Sequence, residues 1–314
     1  MRSPILFLVF NRPEPTAQVF EAIRQARPPR LYVAADGPRP DRPGEKHRSE
    51  EVRKIATSVD WPCEVRTLFR EQNLGCKTAV SGGITWFFEH EDEGVILEDD
   101  VLPDPSFFAF CDELLERYRN DPRIMMISGS YFHGRHADSA ASYFFSRYTH
   151  IWGWATWRRA WDHYDPDMTQ WPSLRETDFL DRACDGDEDC AAHWRQIFDA
   201  VHHGMIDTWD YQWLFTSFHE SGLSVLPTKN LTRNIGFSGD ATHTTDSSEW
   251  LGRLRAHSMS FPLRHPTTVR RDPVRDRWVE RNVFGSNRSI YGRIRKRVSS
   301  LPGLSATLRR LSGP

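Results

Sequence analysis

The sequence has few cysteines, and no two of them stand at a metal-binding spacing. The five cysteines, at positions 63, 76, 111, 184 and 190, are spread irregularly over 314 residues, and no CxxC pair occurs. This pattern excludes a disulfide scaffold and a zinc finger. It predicts free thiols in a reducing cytosol.

Long apolar runs are also lacking. No stretch reaches the roughly 18 apolar residues that a membrane-spanning helix needs. Residues 5–10 are apolar, but Asn11-Arg12-Pro13 follows at once, and a secretory signal needs a longer run and a small-residue cleavage site. We therefore expect a cytoplasmic protein of globular composition, with 39% hydrophobic and 27% charged residues.

The chain has little net charge, which removes the electrostatic argument for a nucleic-acid partner. The formal net charge is −2, but the charges are unevenly placed. Residues 251–314 carry 15 Lys and Arg against 3 Asp and Glu, whereas residues 1–250 carry 26 against 40. We expect an acidic body with a basic C-terminal extension.

Strand and helix patterns alternate through the first half of the chain. Short apolar runs predict strands at 4–9, 31–35, 64–69, 94–97 and 124–127. Helical spacing of apolar residues predicts helices at 16–26, 47–58 and 75–90, and Asp104 followed by Pro105 begins a fourth. The alternation predicts an α/β fold with a mostly parallel central sheet covered by helices on both faces.

The second half has a different composition. Residues 143–172 hold five of the twelve Trp, the patterns predict helices at 190–203 and 208–220 and a strand at 223–226, and residues 227–250 read as a loop. These changes divide the chain into an α/β half, a half of helices and loops, and the basic extension, with bounds at 1–130, 131–250 and 251–314.

The most informative motif is Glu98-Asp99-Asp100, directly after the apolar strand Val95-Ile96-Leu97. Ligands of open parallel sheets bind beyond the carboxyl ends of the strands. Three adjacent carboxylates repel one another, so such a site favours a cation, and oxygen ligands suit Mg²⁺ or Mn²⁺. The alternative is a solvated acidic turn that stabilises the following helix.

The segment from Val95 to Phe108 resembles the metal motif of GT-A glycosyltransferases, a family that includes the N-acetylglucosaminyltransferase initiating complex N-glycans. The resemblance extends over about residues 4–130, loosely over 150–245, and not to the extension. Residues 69–75 and the aromatic block at residues 151–161 are also similar to uncharacterised bacterial sugar-transferase-like proteins. The resemblance to GT-A glycosyltransferases implies a Rossmann-like fold. Its first half would bind a nucleotide-sugar, and its second half would bind the acceptor and supply the catalytic residues.

The resemblance assigns four residues of the first half to the donor. Arg12 would approach the donor phosphates and Asp36 would accept a hydrogen bond from the base. Asn73 and Lys77 would touch the nucleotide or the sugar. The alternatives are a surface arginine, a turn-forming aspartate and a solvated helix face.

The acidic motif Glu98-Asp99-Asp100 would complete the donor site. The resemblance makes Asp100 the metal ligand and assigns Asp99 to the sugar hydroxyls. His243, in the loop after the acceptor helix, is the candidate second ligand for Mn²⁺ or Mg²⁺, and an ordinary loop histidine is the alternative.

An inverting transferase also needs a general base for the acceptor hydroxyl. Asp210 lies at a predicted helix start among aromatic residues, and it matches in chain order the segment that supplies the family's base. An apolar setting raises the pKa of a carboxylate and makes it a better base. Asp207 is the local rival, and a helix-capping role is the alternative.

The aromatic block around Trp152-Gly153-Trp154 is the candidate acceptor site. Indole rings pack on sugar rings, and glycine lets a ligand approach the backbone. Trp157 and Trp161 are spaced i,i+4, so we expect both on one helix and in the core.

The function predicted from these features is a metal-dependent, inverting glycosyltransferase acting in bacterial surface polysaccharide or glycan assembly. Its donor would be a nucleotide-sugar, with a UDP-sugar favoured, and its acceptor a glycan or a lipid-linked glycan. Two alternatives stay open: a sugar-phosphate nucleotidyltransferase, although residues 11–13 lack the glycine-rich loop, and a non-catalytic carbohydrate-binding protein.

The basic extension predicts peripheral contact with an anionic inner membrane, since basic residues alternate with apolar ones over 290–311. Packing on the acidic body and disorder are the alternatives. Nucleic acid is a weaker one, because no binding motif accompanies the charge.

Overall fold

A computed structural model describes residues 1–133, 140–236 and 249–285 of the chain. Its strands are β1 (Ile5–Val9), β2 (Arg30–Ala35), β3 (Glu64–Phe69), β4 (Glu93–Glu98), β5 (Val101–Pro103), β6 (Ile124–Ser128), β7 (Tyr143–Ser146), β8 (Trp154–Trp157), β9 (Leu223–Pro227) and β10 (Thr232–Asn234). Its helices are α1 (Pro13–Ala26), α2 (Glu45–Ala56), α3 (Gly75–Phe88), α4 (Pro105–Tyr118), α5 (Arg158–Trp161), α6 (Trp171–Leu174), α7 (Phe179–Ala183), α8 (Glu188–His202), α9 (Asp210–His219), α10 (Glu249–Gly252) and α11 (Pro273–Val279). A π-helical turn, Glu280–Phe284, follows α11.

The predicted α/β fold is confirmed. Eight strands form one sheet in the order β3-β2-β1-β4-β8-β6-β9-β7, and β5 pairs with β10 in a small second sheet. The four strands β3, β2, β1 and β4 are parallel, whereas β8 runs antiparallel to both of its neighbours. The strand order reverses at β1, which lies between β2 and β4, and in α/β sheets this reversal is where ligand crevices form.

Alternate residues of the strands build two apolar cores on the two faces of the sheet. Phe7 packs on one face with the apolar sides of α1, α2 and α4, and Leu8 packs on the other with α3, α5 and α9. A third core lies among α6, α7, α8 and α9. The helices α3 and α4 begin where the sequence predicts, whereas α1 begins three residues earlier, at Pro13. At α4 the Asp104 side chain accepts from the Ser106 N–H at 2.9 Å.

The aromatic block corrects one prediction. Trp157 and Trp161 do not share a helix, because Trp157 ends β8 and Trp161 lies on α5. Both are buried, as expected. A run of four buried residues shows no alternation, so β8 carries no strand signature in the sequence.

The expectation of free thiols is wrong for one cysteine pair. Cys184 and Cys190 form a disulfide, with their Cα atoms 5.8 Å apart. Asp185 and Gly186 have φ values of 57° and 76°, and this left-handed turn reverses the chain between α7 and α8. Cys63, Cys76 and Cys111 are free, as predicted. The cytoplasmic location stays a prediction.

Part of the basic extension belongs to the folded body. Met259 and Leu263 join the core beneath α1 and α4, and Val279 joins the core among the later helices. Arg271 pairs with Asp185 at 2.6 Å. Residues 286–314 lie outside the described residues, so the predicted membrane contact stays a prediction. None of the helices in the described ranges combines the length and apolarity needed to cross a bilayer.

Candidate functional site

The predicted donor residues converge at the carboxyl ends of β1, β2 and β4. Arg12 follows β1, Asp36 follows β2, and Glu98-Asp99-Asp100 ends and follows β4. Because β1 pairs in parallel with both β2 and β4, these chain segments leave the sheet at the same edge. The segments after β1 and β4 flank the point where the strand order reverses, which is the expected position of a ligand crevice.

Arg12 bridges two of the motif's carboxylates. Its Nη2 lies 3.2 Å from Asp99 Oδ1, and its Nη1 lies 3.0 Å from Asp100 Oδ2. Asp99 Oδ2 also accepts from the backbone N–H of Phe10 at 3.0 Å. The side chains of Asp99 and Asp100 are 5% and 13% exposed, and that of Arg12 is 29% exposed. The guanidinium therefore links the end of β1 to the end of β4, and part of the Arg12 side chain stays exposed to solvent.

Negative charge exceeds positive charge at this point. Burial, followed by the charges of Asp100, Asp99 and Asp210, raises the pKa of Glu98 to about 8. Burial raises the pKa of Asp99 to about 6, although Arg12 opposes the shift. Burial works against the charged guanidinium of Arg12, but the neighbouring carboxylates outweigh it and raise its pKa. A further cation would relieve this excess.

The start of the loop after β10 covers the Arg12–Asp100 pair. The Ile235 N–H donates to the Asp100 carbonyl at 2.7 Å. A Cβ added at Gly236 would lie 2.3 Å from Asp100 Oδ2 and 2.7 Å from Arg12 Nη1. Only glycine lets the backbone come this close. The structure thus places Gly236 against the charged pair.

The described residues could hold a divalent metal here only together with ligands from elsewhere, such as a bound diphosphate. Asp100 offers carboxylate oxygens of the kind that Mg²⁺ and Mn²⁺ take, and Mg²⁺ commonly uses one or two carboxylates together with substrate phosphates. Within residues 1–133, 140–236 and 249–285, no three His, Cys, Asp or Glu are grouped to hold a metal alone. His243, the predicted second ligand, lies outside the described residues.

Asp36 and Asn73 meet, but they bond to each other. Asn73 Nδ2 donates to Asp36 Oδ2 at 2.9 Å and to the Gly37 carbonyl at 2.8 Å, and the Leu74 N–H also donates to Asp36 at 3.0 Å. Burial raises the pKa of Asp36, while hydrogen bonds from the backbone N–H groups of Leu74 and Gly37 oppose the shift. The pair fixes the loop before α3, and base recognition by Asp36 stays a prediction. Lys77 forms an ion pair with Asp167 at 3.3 Å.

The structure brings the predicted base next to the motif. Asp210 opens α9, accepts from the Thr208 hydroxyl, and adds to the negative charge around Glu98. Cys76, at the start of α3, faces the same group of carboxylates. Burial first, and then the charges of Glu98, Asp210 and Asp207, raise its pKa to about 12. Asp207 is exposed and lies by Gly75. No sequence pattern pointed to Cys76.

The aromatic candidates divide between core and surface. Trp154 is 1% exposed and stacks on Trp209 with ring centroids 5.7 Å apart. It therefore has no face for a sugar, and its assignment to the acceptor site is corrected. Trp152 is half-buried, and its carbonyl accepts from Thr232 Oγ1 at 2.7 Å, which ties it to β10. Gly153, at a φ of 69°, makes the tight turn into β8.

No protein-family model and no curated protein matches the chain. Solved structures similar to it include UDP-glucose pyrophosphorylase complexed with UDP-glucose, with 10% identity, a TM-score of 0.25, and coverage of 43% of this chain and 66% of that one. Apo mouse xyloside xylosyltransferase 1 has 12% identity and a TM-score of 0.33 over 70% of this chain and 82% of its own. Apo UDP-glucose pyrophosphorylase has 8% identity and a TM-score of 0.36 over 72% and 90%. None of these likenesses assigns a reaction to the chain.

Proposed function

We propose that the chain is a glycosyltransferase of the GT-A fold that moves a sugar, with inversion, from a nucleotide-sugar to an acceptor hydroxyl. The observation that carries the proposal is the contact of Arg12 with Asp99 and Asp100 at the point where the strand order reverses. A guanidinium among excess carboxylates can bind a diphosphate together with a divalent cation. The resemblance of residues 95–108 to the GT-A metal motif supports the same reading.

Arg12 and Asp100 would divide the work on the donor. Arg12 donates hydrogen bonds to the diphosphate and offsets its charge, since guanidinium matches phosphate geometry. Asp100 holds Mn²⁺ or Mg²⁺, which, when bound, neutralises the charge that develops on the leaving nucleoside diphosphate. Asp99 is held by Phe10 and Arg12 and keeps the crevice in shape, while its contact with the sugar hydroxyls stays a prediction.

Asp210 would be the general base. It takes the proton of the acceptor hydroxyl as that oxygen bonds to the anomeric carbon, while the bond from this carbon to the diphosphate oxygen breaks. Asp210 lies close enough to Glu98 for its charge to act on that carboxyl group, which places the proposed base beside the donor motif. Trp152, half-buried beside β10, offers its indole to a glycan or lipid-linked acceptor.

The proposal is tested by incubating the full chain and Mn²⁺ with UDP-, GDP- and CMP-sugars and measuring nucleotide release. We expect slow hydrolysis of one donor class without acceptor, and its loss in Asp100→Ala. A protein that binds these donors but releases nucleotide from none would be a binding protein. Formation of a nucleotide-sugar from a nucleoside triphosphate and a sugar phosphate would instead show a nucleotidyltransferase. Either result contradicts the proposal.

A further inference from the structure

Arg12 occupies the position at which a metal would approach Asp100. Its Nη1 is 3.0 Å from Asp100 Oδ2, and Gly236 closes over the same pair. A divalent ion bound to this oxygen at about 2.1 Å would lie at most about 5 Å from the guanidinium. Two cations at this separation repel each other strongly in a partly buried site.

Asp99 and Asp100 differ in how firmly they are held. Asp99 accepts from the Phe10 N–H and pairs with Arg12, and it is nearly enclosed. The Asp100 side chain is more exposed and pairs with Arg12 through one oxygen. The Arg12–Asp100 contact is therefore the one that can open while Arg12 stays on Asp99.

A nucleoside diphosphate supplies what would open it. Phosphate oxygens give the guanidinium a stronger, bidentate partner than one carboxylate oxygen. The same phosphates supply the metal ligands that the described residues lack, since they contain no group of three.

We propose that Arg12 is a displaceable internal cation, which closes Asp100 to divalent metal until a nucleoside diphosphate draws the guanidinium away. The proposal rests on the function proposed above and adds the order of events at that site. Metal and diphosphate then bind cooperatively. Because the coupling of two ligands is reciprocal, each raises the affinity for the other by the same factor.

The experiment measures Mn²⁺ affinity directly, from the loss of the free-ion electron paramagnetic resonance signal, with and without UDP or GDP. In the wild-type chain we expect weak Mn²⁺ binding alone and an increase of about tenfold or more with the nucleotide that binds. Arg12→Gln should bind Mn²⁺ alone about tenfold more tightly than wild type, with a smaller gain from nucleotide. Arg30→Gln removes an equal charge at the amino end of β2, away from the site, and its Mn²⁺ affinity should match that of wild type.

Two further variants guard this result. Adding Asp100→Asn to Arg12→Gln should abolish the gained affinity, which locates the metal at Asp100. Arg12→Lys keeps the charge without the planar guanidinium, and its Mn²⁺ affinity should lie between those of wild type and Arg12→Gln. It replaces Arg12→Gln in the test if that variant lacks a cooperative thermal transition.

The proposal is overturned if loss of the guanidinium leaves Mn²⁺ affinity unchanged, or if nucleotide does not alter Mn²⁺ affinity in the wild type. Binding of UDP or GDP with no coupling to Mn²⁺ would overturn this proposal and leave the donor site standing. Failure of every nucleotide to bind would overturn the proposed function itself.

Discussion

The two ends of the parallel strands carry ion pairs of different character. At the amino ends, several side-chain donors pair with the carboxylates: Arg30 donates to Glu91 at 2.5 and 2.9 Å, and the Tyr32 hydroxyl donates to Glu91 at 2.8 Å. Arg119 likewise pairs with Glu93 at 2.7 Å. These pairs fasten the ends of β2 and β4 to their surroundings.

At the carboxyl ends, the acidic groups outnumber the cations that pair with them. Among the described residues, Arg12 is the one cation that pairs with Asp99 and Asp100, and Glu98 lies beside them with its pKa raised to about 8 by burial and by its acidic neighbours. The comparison shows that two largely buried aspartates share one arginine at the carboxyl ends, and we expect the ligand site there. The predictions below test this difference between the two ends.

The largest effect is expected at the base. Asp210→Asn should lower turnover by roughly 10²–10⁴, the usual contribution of general base catalysis, and leave donor affinity unchanged. Asp207→Asn, three residues earlier in an exposed position, is the matched control and should retain activity. A loss of turnover confined to Asp207→Asn would move the base to that residue.

Removing a carboxylate should have different effects on donor binding at the two ends of β4. Asp100→Ala should weaken Mn²⁺-dependent donor binding by about 100-fold, because a buried charged partner is lost. Glu93→Gln, at the start of the same strand, should bind the donor like wild type. Isothermal titration with the nucleotide and Mn²⁺ measures both, and equal affinities would erase the proposed distinction between the two ends.

Gly236→Ala should have an intermediate effect. The new methyl group would meet Asp100 Oδ2 and Arg12 Nη1, so the covering loop must move. We expect nucleotide affinity to fall by about tenfold, a typical cost of 1–3 kcal/mol for forcing extra volume into a packed site.

Gly204→Ala is its control. Gly204 has a φ of 68° and open space around a Cβ, so alanine there strains the turn without touching the site. It should lower the melting temperature and leave nucleotide affinity intact. If both variants lose affinity equally, the effect of Gly236→Ala is one of general stability.

The smallest expected effect is on stability as a function of pH. Glu98 has a pKa raised from 4.5 to about 8 in the folded state. The folded protein therefore holds a proton that the unfolded chain releases, and this contribution to stability is lost as pH rises from about 4.5 to about 8. Glu98→Gln should flatten the fall in melting temperature over this window, whereas Glu93→Gln should keep it. An unchanged slope in Glu98→Gln would show that another group titrates.

Much of the parallel half could be predicted from the sequence, because β1, β2 and β4 contain short apolar runs bounded by turns. The bounds of β3 were predicted to the residue at 64–69. β7 and β8 were missed because four-residue aromatic strands buried on both faces show neither alternation nor length. The disulfide was missed because two cysteines six residues apart become neighbours only through the turn at Asp185 and Gly186.

The site was predictable where it follows a strand and unpredictable where it depends on packing. The position of Glu98-Asp99-Asp100 follows from the strand before it. That Asp36 bonds to Asn73, and that Trp154 lies under Trp209, depends on how distant segments meet. Single-sequence patterns carry no record of such contacts.

The most direct measurement is a crystal structure of the full chain with Mn²⁺ and the nucleoside diphosphate that binds. We expect the diphosphate at the carboxyl ends of β1 and β4, the Arg12 guanidinium on its oxygens, and Mn²⁺ between the diphosphate and Asp100. A nucleotide bound elsewhere, for example beside Arg30 and Glu91 at the opposite ends of the strands, would contradict the assignment of the donor site.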